Sequence, residues 1–333
     1  MSLGIPQPQE PVEQAQNTEH PTGLNAALEA LRRASYGTKE EVRAALFTVL
    51  SQIPLELRQE QVLLRYLDDH AVNTQALNRK EIDLFSKLST ADVNLLSKLS
   101  TAGVNLFFAL AVREGFNWQA QLEAAQQNIE RVNAANSGLT LVREYDLAAL
   151  INALAARNNP DKLQANLALM KEPTLIIAPQ GLTLNHLRAS LTYNGLAPYV
   201  DNLYNPDQSC ARATVYIIDA GDTTDMKTQP PAIQGLSPLT TTRQQIRDIM
   251  NELGIKLDAH GYALLANLLM SRDPQVLLDN GLPISILNGH DSPNNSAYVA
   301  DAGFSEDQFD FTFDDRFFAS NAARARVSVM AEL

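Results

Sequence analysis

The sequence contains a single cysteine, Cys210, among 333 residues, so an intramolecular disulfide is excluded. Basic residues are also scarce, because 26 Lys and Arg stand against 38 Asp and Glu and give a net charge of -12. Proteins that bind nucleic acid or anionic membranes through phosphate groups need clustered positive charge. We therefore expect no direct contact with nucleic acid.

Long apolar runs are absent as well. The most apolar stretch, Val104–Val112, is much shorter than a membrane-spanning helix requires, so we expect no membrane insertion. The first twenty residues hold no Lys or Arg and lack the apolar run of a secretory signal. These absences predict a protein of the cytoplasm or of a virus particle, since a virion component would show the same pattern.

Composition divides the chain into three segments. Residues 1–22 are rich in Gln and Pro and too poor in apolar side chains to form a core, which predicts an extended tail. On composition alone this tail is disordered, and it becomes an ordered arm where a partner holds it in place. Residues 23–170 show helical periodicity and are predicted to form a helical domain. Residues 171–333 mix short apolar runs with turns, and we predict an α/β domain with an acidic-aromatic C-terminal segment.

The helical prediction depends on the spacing of apolar residues and on start signals. Thr38 and Glu41 have the spacing of a capping box, in which each side chain accepts a hydrogen bond from the other residue's backbone amide. Several such helices would pack as a bundle or an array.

A tandem repeat interrupts this half of the chain. The segment 86–96, SKLSTADVNLL, is followed at once by 97–107, SKLSTAGVNLF, with two differences. Eleven residues are close to three helical turns, so one long helix with a straight apolar stripe is one interpretation. Two short helices, each with its own cap, are the other.

Two apolar runs in the second half are predicted to be buried strands. They are residues 174–177 and 213–218, and the segment between them has a helical pattern, which favours a βαβ unit with parallel strands. The predicted class is therefore α+β or α/β, with an N-terminal helical bundle followed by a smaller region that contains a short, partly parallel sheet.

Cys210 is the first candidate catalytic residue. A thiol nucleophile needs a base, and His290 in a loop with Asp291 beside it could act as base and orienting group. The alternative is that Cys210 is a small packed side chain, since it lies in a loop before a strand and no helix start lies near it in the sequence.

Three acids that follow the second predicted strand form a candidate metal site. Asp219, Asp222 and Asp225 would offer carboxylate oxygens for Mg²⁺ or Ca²⁺ at the end of a strand. Asp and Gly are also ordinary turn residues, which is the alternative. We assign no cofactor on this basis.

Phenylalanines alternate with acids near the C-terminus. This pattern predicts either an edge strand with one solvated face or a segment that binds a partner through its aromatic side chains. The aromatic residues are Phe304, Phe309, Phe311 and Phe313.

Two classes of function are consistent with the sequence. The first is a non-enzymatic structural or assembly protein, of virion or scaffold type, that forms homo-oligomers or joins a larger protein assembly. The second is a hydrolase or translocated effector that uses Cys210 with His290, or the acids at 219, 222 and 225. We favour the first class, because no catalytic constellation is convincing.

Overall fold

The chain folds as an α+β protein with its helices concentrated in the N-terminal half, as predicted. A computed structural model describes residues 22–50, 88, 90–193, 196–200, 205–221, 229–236, 241–273, 278–279, 284–291, 298–305, 308–315 and 323–333. The predicted N-terminal arm therefore lies almost wholly outside the described residues. Within the described ranges, no helix is both long and apolar enough to cross a membrane.

Helices dominate the first half of the chain, and strands dominate its end. The helices are α1 (Thr22–Ala34), α2 (Lys39–Leu50), α3 (Thr90–Leu96), α4 (Thr101–Ala111), α5 (Trp118–Ala135), α6 (Leu147–Arg157), α7 (Pro160–Leu169), α8 (Leu184–Ser190), α9 (Pro231–Gln234), α10 (Arg243–Leu253) and α11 (Ala259–Arg272). The strands are β1 (Pro173–Ala178), β2 (Tyr199–Val200), β3 (Thr214–Asp219), β4 (Ile284–Asp291), β5 (Tyr298–Ser305), β6 (Gln308–Asp315), β7 (Ala323–Arg324) and β8 (Ser328–Glu332).

The predicted capping box starts α2. The Thr38 amide donates to Glu41 Oε2 at 2.7 Å, and the Glu41 amide donates to Thr38 Oγ1 at 3.3 Å. These two bonds satisfy backbone donors that the first turn of a helix leaves without partners. α1 and α2 then pack together as a pair of short helices.

The tandem repeat forms two helices, α3 and α4, and not one. Asn152 on α6 holds the break between them, because its side chain accepts from the Ser100 amide at 2.8 Å and donates to the Lys98 carbonyl at 3.1 Å. A Cβ atom added at Gly103 would lie only 2.4 Å from the Asn152 side-chain oxygen, which is too close for a Cβ atom while Asn152 holds this position. This contact explains why the second copy has glycine where the first has Asp92.

The second difference between the copies also has a structural reason. Phe107 stands where the first copy has Leu96, and its ring stacks on Trp118 at 6.2 Å. The Trp118 indole nitrogen donates to the Phe107 carbonyl at 3.1 Å. Stacking an aromatic pair adds stability beyond the buried area, so the phenylalanine fixes α4 against the start of α5.

The prediction of a parallel βαβ unit is wrong. β1, β3 and β8 form a three-stranded sheet in the order β1-β3-β8. β1 and β3 are adjacent but antiparallel, with Ala178 opposite Thr214. Every residue of β1 and β3 is buried, because α5 and α11 pack on β1 and α6 packs on β8 and β3. Continuous apolar runs indicate burial on both faces, and in this sheet helices supply that burial although the strands are antiparallel.

The segment between β1 and β3 leaves the three-stranded sheet and returns to the same end of it. Its two ends are joined by a pair of backbone bonds: Gly181 donates to the Cys210 carbonyl at 2.9 Å, and Cys210 donates to the Leu182 carbonyl at 2.8 Å. α8 lies within this segment, and the antiparallel pairing of β1 with β3 requires no crossover connection.

The second sheet is mixed, so the predicted partly parallel sheet is present but is built from other strands than the two predicted for it. Its order is β2-β6-β5-β4-β7, in which β4, β5 and β6 are antiparallel, while β2 runs parallel to β6 and β7 runs parallel to β4. The C-terminal residues thus contribute β7 to this sheet and β8 to the first, and the last strands of the chain connect the two sheets.

The aromatic residues of the C-terminal segment contribute to the protein's own interior. Phe304, Phe309 and Phe311 are at most 4% exposed. Phe304 packs against Phe309 at 5.0 Å and against Tyr193 at 5.3 Å, both edge to face. In this fold these three rings therefore fill the core and do not form the predicted partner-binding surface. The Phe313 side chain lies outside the described residues.

Candidate functional site

Cys210 lies in the chain that leads into β3. Its backbone is held by the two bonds to Gly181 and Leu182, and its side chain is half-buried against the core. The residue is therefore fixed in position by the backbone and has a defined set of neighbours.

Two phenols and a carboxylate lie within electrostatic range of the Cys210 thiol. Tyr145, Tyr216 and Asp258 interact with it electrostatically. Tyr216 donates to Asp258 Oδ2 at 2.8 Å, and Asp258 Oδ1 accepts from the Gly261 amide at 2.8 Å at the start of α11. Burial, and then the negative charge of Asp258, raise the pKa of Cys210 to about 12.

This environment disfavours the thiolate. A reactive cysteine needs a neighbouring positive charge or a helix N-terminus to lower its pKa, whereas burial and the Asp258 carboxylate raise the pKa of Cys210. Burial of the Tyr145 side chain itself raises the pKa of that phenol to about 12.

We expect iodoacetamide to alkylate Cys210 in the folded protein far more slowly than it alkylates free cysteine at pH 8. With a pKa of about 12, roughly one thiol in ten thousand is ionised at that pH. Mass spectrometry of timed samples measures the rate, and the urea-unfolded chain serves as the control for intrinsic reactivity. Labelling of the folded protein as fast as that of free cysteine would contradict this environment.

His290 and Asp291, the predicted base and orienting group, lie at the end of β4. The backbone of Asp291 pairs with Val299 of β5 in the mixed sheet, whereas Cys210 precedes a strand of the other sheet. The side chains of His290 and Asp291 are outside the described residues, so their relation to the thiol stays a prediction.

Asp219, the first member of the predicted metal site, holds backbone in place. Its Oδ1 accepts from the amides of Lys171 at 3.1 Å, Glu172 at 2.8 Å and Gly221 at 3.1 Å. The carboxylate thereby joins the start of β1 to the end of β3. Asp222 and Asp225 lie outside the described residues. Among the residues that the structure describes, no group of three His, Cys, Asp or Glu side chains is placed to hold a metal ion.

The structure contains a buried charged cluster centred on Arg326, which the sequence patterns did not predict. This arginine is 1% exposed, and its Nη1 donates to the carbonyls of Asp219 at 2.6 Å and Gly221 at 3.0 Å, while Nη2 pairs with Asp279 Oδ1. The hydroxyls of Tyr262 and Ser285 donate to Asp279 Oδ2 at 3.1 and 2.6 Å.

The cluster joins parts of the chain that are far apart in sequence. Arg326 lies between β7 and β8, Asp279 follows α11, and the two carbonyls lie at the end of β3 and just beyond it. Burial, followed by the charge of Asp279, raises the pKa of Tyr262 well above its ordinary value. The sequence signal was an arginine among apolar residues near the C-terminus, and this pattern does not indicate which acid pairs with the arginine.

Large apolar side chains are exposed at a few places. Among the described residues these are Tyr36, Val142, Leu196, Tyr199 and Leu333. Leu196 and Tyr199 are 45% and 47% exposed and lie within four residues of each other. Tyr199 belongs to β2, one of the two edge strands of the mixed sheet, which pairs with β6 on one side only in the described ladder.

Cys210, Asp219 and Arg326 are thus held by hydrogen bonds within the fold. Leu196 and Tyr199 form an exposed apolar pair at a sheet edge. Comparison of the chain with protein-family models, with curated proteins and with solved structures gives no match.

Proposed function

We propose that this chain is a non-enzymatic structural or assembly protein that acts through contacts between copies of itself. The observation that carries the proposal is the exposed pair Leu196 and Tyr199 at this edge strand of the mixed sheet. Apolar side chains and strand backbone exposed at the same place are the features that edge-to-edge association uses.

A second copy fits this edge by symmetry. Most homo-oligomers are built on two-fold axes, in which the same surface of both subunits meets. Two copies of β2 placed antiparallel across such an axis would bring Tyr199 and Leu196 of one copy against the same residues of the other. The contact would remove four apolar side chains from water, which favours association.

Pro198, between the two apolar residues, limits how long the contact can be. Proline has no backbone N–H and interrupts a ladder of hydrogen bonds. The edge therefore supports a short, side-chain-dominated contact, and open-ended growth of a continuous sheet is disfavoured.

Charge sets the conditions under which the copies associate. Each copy carries a net charge of -12, and Asp310 pairs with Tyr199 in the adjacent strand. Like charges oppose close approach of two copies at low ionic strength, and salt screens this repulsion over about 10 Å at 0.1 M. We therefore expect association to tighten as salt rises.

Replacing Tyr199 with serine should weaken this association. Sedimentation velocity at micromolar concentration, at low and at about 0.5 M NaCl, measures the weight-average mass. We expect the wild type to shift toward a larger species at high salt and Tyr199→Ser to remain smaller under the same conditions.

Tyr36 supplies the matched control. It is 87% exposed, in the turn between α1 and α2, and Tyr36→Ser removes the same chemical group from a different surface. That variant should sediment like the wild type. A wild-type protein that stays monomeric at high salt, or a Tyr36→Ser variant that loses as much association as Tyr199→Ser, would refute the proposed surface.

A further inference from the structure

A small cleft lies beside the three-stranded sheet, where β1 begins and β3 ends. Its volume is about 200 Å³, below the roughly 300–1,000 Å³ of pockets that enclose drug-sized ligands. Its walls come from the turn after α4, the first residues of β1 and the last turn of α11. The cleft therefore suits a molecule smaller than a nucleotide or a peptide.

Charged residues of both signs line this cleft. The cations are Arg113, Lys171 and Arg272, and the acids are Glu114 and Glu172. The lining is thus positive by one charge on a chain whose net charge is -12. Cations and acids in one small space match a ligand that itself carries both charges.

Arg113 is the fixed cation of the cleft. Its Nη1 donates to the Met170 carbonyl and its Nη2 to the Leu167 carbonyl, at the carbonyl end of α7. Partial burial lowers the pKa of Arg113, while nearby Asp219 raises it. A bound anionic group would add to the effect of Asp219 and stabilise the charged guanidinium further.

The remaining wall combines apolar side chains with the polar side chains of Gln121 and Thr174. Phe116, Pro173 and Leu269 contribute the apolar surface. The Gln121 side chain accepts from the Leu175 amide through Oε1 at 3.2 Å, and its amide nitrogen is a separate donor beside the cleft.

We propose that this cleft binds a free α-amino acid with an apolar side chain. Arg113, Lys171 and Arg272 would attract the carboxylate, the two acids would attract the ammonium group, and the apolar wall would cover the side chain. A phosphate dianion would meet two carboxylates in the same space, so the mixed lining favours the amino acid. This site is independent of the proposed contact between copies.

Isothermal titration of the full chain with L-leucine tests the proposal. Two analogues that each lack one charged group are the controls: 4-methylpentanoate has no ammonium, and 3-methylbutylamine has no carboxylate. We expect leucine to bind about tenfold or more tightly than either analogue. Equal affinity for leucine and 4-methylpentanoate, or no binding of leucine, would overturn the proposal.

Two arginine variants locate the binding. Arg272 is exposed, so Arg272→Gln should fold normally and bind leucine several-fold more weakly. Arg188→Gln changes an exposed arginine on α8, away from the cleft lining, and should bind leucine like the wild type. Unchanged affinity in Arg272→Gln, or an equal loss in both variants, would place leucine elsewhere and refute the site.

Discussion

Replacing Arg326 with alanine should lower the free energy of unfolding by about 3–5 kcal/mol, the cost of removing one partner of a buried ion pair. The substitution leaves the Asp279 carboxylate buried beside the hydroxyls of Tyr262 and Ser285 and removes the guanidinium that faces it. It also removes the donor to the carbonyls of Asp219 and Gly221. Urea denaturation followed by circular dichroism gives the free energy by linear extrapolation.

The loss should depend on geometry as well as on charge. Arg326→Lys keeps the positive charge, but a single ammonium does not reproduce a planar fork that reaches two carbonyls and a carboxylate at once. We expect its stability to lie between those of the wild type and Arg326→Ala.

A double-mutant cycle with Asp279 isolates the pair. Arg326→Ala combined with Asp279→Asn should cost less than the sum of the two single changes, because each single change already breaks the same interaction. Arg188→Ala, on the exposed face of α8, should change the free energy by less than about 0.5 kcal/mol. A loss below about 1 kcal/mol for Arg326→Ala, or strict additivity in the cycle, would contradict the role assigned to the cluster.

Local signals in the sequence predict the helices well. The capping box at Thr38 and Glu41 is confirmed, and α10 begins at a capping box of the same spacing, formed by Thr242 and Gln245. Gly254 ends that helix with φ +70°, a left-handed conformation that glycine adopts without strain. These features depend on residues three or four positions apart, so one stretch of sequence contains all the information.

The direction of β1 and β3 could not be predicted in the same way. Their apolar runs report burial on both faces, and either parallel or antiparallel pairing between helices satisfies that burial. The antiparallel direction is accompanied by the pair of bonds between Cys210 and the turn at Gly181 and Leu182, which brings the two ends of the connecting segment together. No periodicity within a strand reveals a contact between residues about thirty positions apart.

The candidate site residues show the same limit. Alternation of Phe and Asp in β6 predicted one buried and one solvated face, and Phe309 and Phe311 are buried. The sequence pattern does not tell whether a partner or the chain itself covers an apolar face. In this protein the chain covers it, and Tyr262 packs edge to face on Phe311 at 6.0 Å.

Replacing Asp219 with alanine should be the second strongly destabilising change. One oxygen of this carboxylate accepts from the amides of Lys171, Glu172 and Gly221. A buried donor that loses its acceptor costs about 1–3 kcal/mol, and water can replace the acceptor at the two exposed residues of the three. We therefore expect a loss of about 3 kcal/mol in the free energy of unfolding, measured by urea denaturation.

Asparagine at the same position separates the structural role of Asp219 from the metal site predicted for it. Asp219→Asn keeps an oxygen that accepts from the three amides and removes the negative charge, so it should recover more than half of the stability that alanine loses. Asp161→Ala removes an exposed acid from the first turn of α7, where it interacts with the helix dipole, and should change stability by less than about 1 kcal/mol. If Asp219 instead served mainly as a ligand for a divalent cation, asparagine would be as damaging as alanine, and millimolar Mg²⁺ or Ca²⁺ would raise the melting temperature of the wild type but not of either variant.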